Sequence, residues 1–186
     1  MSITEIFSEM ASHMIEGMMV HEQLMNSYLF LSLHGYATCH EYHYLSETRG
    51  YIRLCKYVSD HFDVIIQSGR PSDPGVIPES WKSSEKTNAN QKIRREAMES
   101  ALRHWIDWET DTVKLYTTLY NSLLDLAEVP ASEFVKEYIM DAEEEIVYAK
   151  DELHKKTAID FDIVSILEEQ PAFTKEFKKK IRKIGE

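Results

Sequence analysis

The sequence is short of most features that mark specialised protein classes. It has 2 cysteines in 186 residues, too few for a disulfide framework and not spaced for a zinc finger. A reducing, cytoplasmic setting is therefore expected. Glycine and proline number only 6 and 5, and Pro71, Pro74 and Pro78 crowd into one stretch, so the rest of the chain is nearly free of helix breakers. No apolar run is long enough to span a bilayer, and the first seven residues lack the basic-then-apolar pattern of a signal peptide. Basic residues are outnumbered 21 to 32, a formal net charge of -11. A body this acidic repels phosphate backbones, so tight nucleic-acid binding is not expected. There is no internal repeat, low-complexity tract or glycine-rich phosphate loop.

What is present is apolar residue at helical spacing. The chain is 43% hydrophobic, enough for one substantial core. A first helix is expected over residues 3–37, capped by Ser2 or Thr4, with a stripe of Phe7, Met10, Met14, Ile15, Met18, Met25, Leu29 and Leu33. Gly35 loosens its end and Thr38-Cys39 forms a tight link to a second helix over 40–67, closed by Gly69. Its stripe is Leu45, Ile52, Cys55, Val58, Phe62 and Ile65. Residues 70–90 form a proline-rich link long enough to cross a bundle, pinned by Trp81. A third helix over 90–126 carries Met98, Leu102, Trp105, Thr112, Tyr116, Leu119 and Leu123, and Pro130 marks the next turn. A fourth over 132–153 turns Phe134, Val135, Tyr138, Ala142, Ala149 and Leu153 inward. Two short helices follow, over 162–169 and 171–183. The fold class is all-α: a four-helix bundle over residues 1–156, connected by short, long and short links, with a C-terminal helical extension, 157–186, docked on it.

Three segments carry a family resemblance. Asn26-Ser27-Tyr28-Leu29-Phe30-Leu31-Ser32-Leu33 resembles the middle of the first ferritin helix, Ala97-Met98-Glu99-Ser100-Ala101-Leu102 the start of the third, and Asp141-Ala142-Glu143-Glu144-Glu145 the acidic stretch of the fourth. The resemblance implies a divergent member of the ferritin-like superfamily, which includes ferritins, bacterioferritins and DNA-protecting mini-ferritins. It also implies a di-iron carboxylate centre, with a Glu from each of two helices and Glu-x-x-His from each of the other two. Neither Glu-x-x-His motif is intact here. On the resemblance, Glu22 (with Gln23 as competitor) stands for the first-helix ligand, Glu109 for the third, and Glu145 for the His of the fourth-helix motif. Ala142 replaces the Glu of that motif and Asp141 is its candidate substitute. The expected metal set is Glu22, Glu109, Asp141 and Glu145, and the implied chemistry is ferroxidase-like oxidation of iron.

Opposite Glu22, the expected register of the second helix offers Arg53, Leu54, Cys55 and Lys56, none of them a hard-cation ligand. Arg53 or Lys56 paired with the buried glutamates would make a metal-free scaffold, the alternative to a metal-binding function. A second candidate set is His40, His43 and Glu47, at i, i+3 and i+7 on one helical face. Its His-x-x-x-Glu resembles the His-x-x-x-Asp of mini-ferritins. With Tyr36, Tyr42 and Tyr44, the same histidines make a polar-aromatic cap on the bundle end in the alternative reading. His61 is expected in the core, and His13, His21, His104 and His154 lack acidic partners on an inner face. The lysine-rich tail reads as the charged side of a helix docked through Phe173, Phe177 and Ile181 rather than as a DNA-binding arm. The surplus of aromatic residues points to a homo-oligomer, at least a dimer.

Overall fold

The structure is a computed structural model that describes residues 1–69 and 91–184. It contains α1 (Ile3–Phe30), α2 (His34–His61), α3 (Gln91–Asp125), α4 (Val129–Ala158) and α5 (Ile163–Ile184), and no strand occurs among the described residues. None of these helices is long and apolar enough to cross a membrane.

Ser2 starts α1 with a capping box: the Glu5 amide donates to Ser2 Oγ and the Ser2 amide donates to Glu5 Oε2. α1 stops at Phe30, seven residues before the expected end. Ser32 takes φ 62°, the Leu33 amide donates to Tyr28 O and the Ser32 amide to Leu29 O, so the turn is a Schellman closure without glycine. The α3–α4 turn is built the same way. Ala127 has φ 61°, with Glu128 N donating to Leu123 O and Ala127 N to Leu124 O. Pro130 falls in the first turn of α4, where its missing amide costs nothing.

Gly35 sits inside the first turn of α2 and ends nothing. A Cβ there would meet Phe173 Cβ at 2.8 Å and the Gln170 carbonyl at 2.9 Å. α5 therefore lies directly against the start of α2. The Gln170 Oε1 accepts from the Gly35 and Tyr36 amides, capping a helix whose own N-cap, Leu33, has no side chain to offer. At the other end of the contact Arg49 donates to the Ile184 carbonyl. α5 thus runs parallel to α2. It is one helix that continues through Pro171, not two short ones: Gln170, Phe173 and Phe177 all dock on one side of it, and that packing outweighs one lost backbone bond.

α2 ends at His61, earlier than expected. The chain then runs extended beside α1, the Gln67 amide donating to Ser8 Oγ and the Gly69 amide to Ser12 Oγ. His61 is exposed, with its ring nitrogen on the Tyr57 carbonyl, so it is not a core residue. The remaining link, with Trp81 and the expected crossover, lies outside the described residues.

Side-chain contacts fix the topology. α1 runs antiparallel to α3, with His13 on Thr112 and His21 beside Glu109. α2 runs antiparallel to α4, with Tyr36 on Glu152, His43 on Glu145 and Arg53 on Glu137. Two tight hairpins, α1–α2 and α3–α4, are thereby packed so that α2 and α3 point the same way, an arrangement that needs a long connection between them.

Candidate metal centre in the polar waist

The bundle has two apolar ends and a polar waist. Near the α1–α2 turn the core comprises Leu24, Tyr28, Leu33, Tyr36, Met98, Leu102 and Ala149. Near the α3–α4 turn it comprises Phe7, Met10, Leu54, Val58, Leu119, Leu123 and Val135. Between them the inner stripes carry His21 on α1, His40, His43 and Glu47 on α2, Glu109 on α3 and Glu145 on α4.

The short turns set this convergence. Ser32 lies midway between Gly17 and Glu47, and a Cβ on Gly17 would touch Glu47 Cδ at 3.4 Å. Ala127 lies midway between Glu109 and Glu145, and both glutamates line one cleft. The cleft holds about 220 Å³ and opens between α2 and α4, past Ser46, Arg49 and Asp141. A neighbouring recess of about 270 Å³ reaches His43 and Glu145 past Tyr42, Glu144 and Lys180.

One helical turn nearer the α1–α2 turn, the donors close up. One ligand atom from each of His21, His43 and Glu145 lies within 4.8 Å of the others, and this is the one such group of three or more among the described residues. His43 Nδ1 is 2.9 Å from Glu145 Oε2, which also accepts from Trp105 Nε1 at 3.2 Å. His21 Nδ1 is 3.1 Å from His40 Nδ1, so one ring donates and the other accepts. His21 Nε2 faces Glu109 Oε1 across 3.7 Å, too far for a hydrogen bond. Neither atom has a partner, although both are buried. His40 Nε2 and His43 Nε2 are also buried without a partner. Unpaired polar atoms in a protein interior are costly and call for an explanation. Two atoms each ~2.1 Å from a common ion lie roughly 3–3.5 Å apart, close to the His21–Glu109 gap.

Electrostatics leave the metal-free waist almost neutral. Burial first, and then His43, push the His21 imidazole down to about 3. Burial first, then His21 and His43, hold His40 well below its usual value. Burial pushes the Glu47 carboxyl up to about 8, helped by Glu145, and raises Glu109 well above the carboxylate range, helped by Glu145 and Glu47. Burial also works on Glu145, but the charge and hydrogen bond of His43 outweigh it and leave its carboxyl low. Burial thus favours the neutral forms of Glu47 and Glu109, while His43 favours the charged form of Glu145.

The expected residues are distributed as follows. Glu22 is exposed. The buried stripe of α1 is Met10, Met14, Gly17, His21, Leu24 and Tyr28, one position away from the stripe that would have held Glu22, so the interior position belongs to His21. Glu109 and Glu145 meet inside, while Asp141 is exposed at the cleft mouth. His40, His43 and Glu47 do not cap the bundle end. With the turn at Ser32, six residues earlier than expected, they sit at the waist and merge with the first candidate set. Arg53 and Lys56 are exposed, and Arg53 pairs with Glu137 at 2.6 Å, so neither neutralises the buried glutamates. His21 went unselected because its acidic partners lie on other helices. Its signal was its place between Gly17 and Leu24 on the stripe continuing from Met14.

A six-ligand di-iron set does not fit these residues. Glu47 is followed three residues later by Gly50, not His, and Glu145 is preceded by Ala142, not Glu. The α1 position facing Glu47 is Gly17. Of the carboxylates near it, Glu109 and Glu145 already face His21 and His43.

No family model and no curated protein sequence matches the chain. Solved structures do. An open pore ferritin from the hyperthermophilic archaeon Archaeoglobus fulgidus superposes with a TM-score of 0.72 at 16% identity, covering 94% of this chain and 97% of that one. A humanized archaeal ferritin gives 0.72 at 15% over the same shares. A closed form of the Archaeoglobus fulgidus ferritin made by site-directed mutagenesis gives 0.66 at 18%, covering 93% and 97%. The fold is ferritin-like, with a divergent sequence.

Proposed function

We propose that this ferritin-like bundle is a metal-binding protein that takes a divalent transition metal, ferrous iron foremost, into its waist. The observation that carries this reading is the group His21, His43 and Glu145, brought within 4.8 Å from three helices beside orphaned Glu109 Oε1. Two imidazoles and a carboxylate with open positions suit ferrous iron. The cleft between α2 and α4, flanked by Asp141, gives a cation a route inward. Its oxidation is the finer part of the proposal: the bound ion gives one electron to dissolved oxygen or peroxide, and the carboxylates favour the harder ferric product.

Anaerobic calorimetric titration with ferrous iron tests the reading. Wild-type protein is expected to saturate, and Glu145→Gln, with unchanged helical content, to lose the heat. A wild-type protein that takes up no iron would contradict it. The rival is a metal-free scaffold, and burial favours it by shifting Glu47 and Glu109 up and His21 and His40 down, toward their neutral forms.

The remaining parts of the proposal rest on less specific features. Homo-oligomer formation is supported by exposed Met140 and Val147, 54% and 68% accessible on α4, and by likeness to ferritins. Light scattering showing a monomer at micromolar concentration would oppose it. The free Cys39 and Cys55 fit a cytoplasmic setting, and the charge of -11 fits weak duplex DNA binding.

A further inference from the structure

We infer that the waist holds one ion, not a pair: His21, His43 and Glu145 are its protein ligands, with Glu109 beside it. This rests on the metal-binding reading above and adds the number of ions, their position and the metal class.

Two levels of the waist, one helical turn apart, differ in what they offer an ion. At the level of Glu47, three of the four helices put small residues into the waist: Gly17, Gly50 and Ala142. The space of Gly50 is taken by Tyr138, whose Cε1 would lie 3.2 Å from an added Cβ and whose hydroxyl donates to the Gly50 carbonyl. A second ion here would have carboxylates alone, without a nitrogen donor. At the level of His21, donors come from three helices, and a fourth helix brings Glu109 to 3.7 Å from His21 Nε2. Three helices thus bring donors within 4.8 Å of one another, and the fourth sets Glu109 against His21.

His40 fits as the positioning residue. When His21 Nδ1–H donates to His40 Nδ1, at 3.1 Å, the bare lone pair of His21 is on Nε2, the nitrogen that faces Glu109. A metal-bound imidazole commonly gives its other N–H to such an acceptor. His40 is itself held by stacking on Tyr28 at 5.4 Å and by the edge of Trp105 at 4.8 Å. Two nitrogens with one or two carboxylate oxygens select borderline ions such as Fe²⁺, Co²⁺ or Zn²⁺ over Ca²⁺ or Mg²⁺.

The test uses Co²⁺ on the full chain, read by metal analysis after desalting and by visible absorption. Wild-type protein is expected to hold one Co²⁺ per chain with imidazole-type spectra. His21→Gln and His43→Gln should each lose it. His40→Ala should weaken binding by about 10- to 100-fold, and His40→Asn, which restores an acceptor, should recover most of that. Two tightly held Co²⁺ per wild-type chain would overturn the single-ion inference and leave the metal-binding reading standing. No bound Co²⁺ or Fe²⁺ would overturn both. Retention of one Co²⁺ by folded His21→Gln and His43→Gln would overturn the ligand assignment.

Discussion

Two groups of buried charged or polar side chains lie on the same bundle, and they differ in one respect. Near the start of α2, Lys156 is 2% exposed and is held by Glu152 and Glu169, while Glu152 also accepts from Tyr36 at 2.9 Å and from Lys155. In the waist, His21 Nε2, His40 Nε2 and Glu109 Oε1 are buried without partners. The first group satisfies itself and reads as architecture. The second leaves His21 Nε2 and Glu109 Oε1 facing each other unpaired, as a site does before its ligand arrives.

Substitutions can sharpen this contrast. The largest effect is expected from Lys156→Ala, which removes the buried cation that Glu152 and Glu169 share. Chemical denaturation should show a loss of about 3 kcal/mol, with metal uptake unchanged. Gln170→Ala removes the acceptor of two α2 amides and should cost about 1–3 kcal/mol, read as early release of α5 in hydrogen exchange. Glu109→Gln should change metal-free stability by less than about 1 kcal/mol, because burial already favours the neutral form of that carboxyl. It should nonetheless weaken Co²⁺ binding. A loss as large as that of Lys156→Ala would mean that Glu109 is structural.

The pH dependence of stability comes from the waist. Glu47 keeps its proton in the folded state up to about 8, against an ordinary 4.5. The folded state therefore binds more protons than the unfolded one in that window, and its contribution to stability falls as pH rises from 4.5 to about 8. His21 is depressed to about 3 from 6.5. Its contribution is present above 6.5 and is lost as pH falls toward 3. Thermal melts of metal-free protein should show both slopes, and Glu47→Gln should flatten the upper one, which Glu109 shares, while leaving the lower one. The smallest effect belongs to the turns: Ala127→Gly relieves a left-handed residue at φ 61° and should stabilise by up to about 1 kcal/mol, seen as a small rise in Tm.

The fold was legible where one periodicity ran unbroken. The α3 stripe from Met98 through Trp105, Thr112 and Tyr116 to Leu123 is buried as the spacing implies. α1 was not, because Met14-Ile15 offers two apolar residues in succession and the wrong one continues to Glu22. The turns were hidden for a different reason. Ser32 and Ala127 occupy left-handed positions that ordinarily signal themselves by glycine, whereas Gly35 is small for the sake of α5. Moving the first turn from Thr38 to Ser32 puts Tyr42 and His43, in place of Arg53 to Lys56, opposite Glu22 and its neighbour His21. That shift is why two separate candidate sets turned out to be parts of one waist.

The central claim is that the orphaned atoms of the waist converge on an ion. Anomalous diffraction from Co²⁺-loaded crystals tests it most directly. The account predicts one strong peak per chain, about 2–2.3 Å from His21 Nε2, a His43 ring nitrogen and a Glu145 oxygen. A waist without a peak, or a peak among Glu47, Gly17 and Gly50 instead, would contradict it.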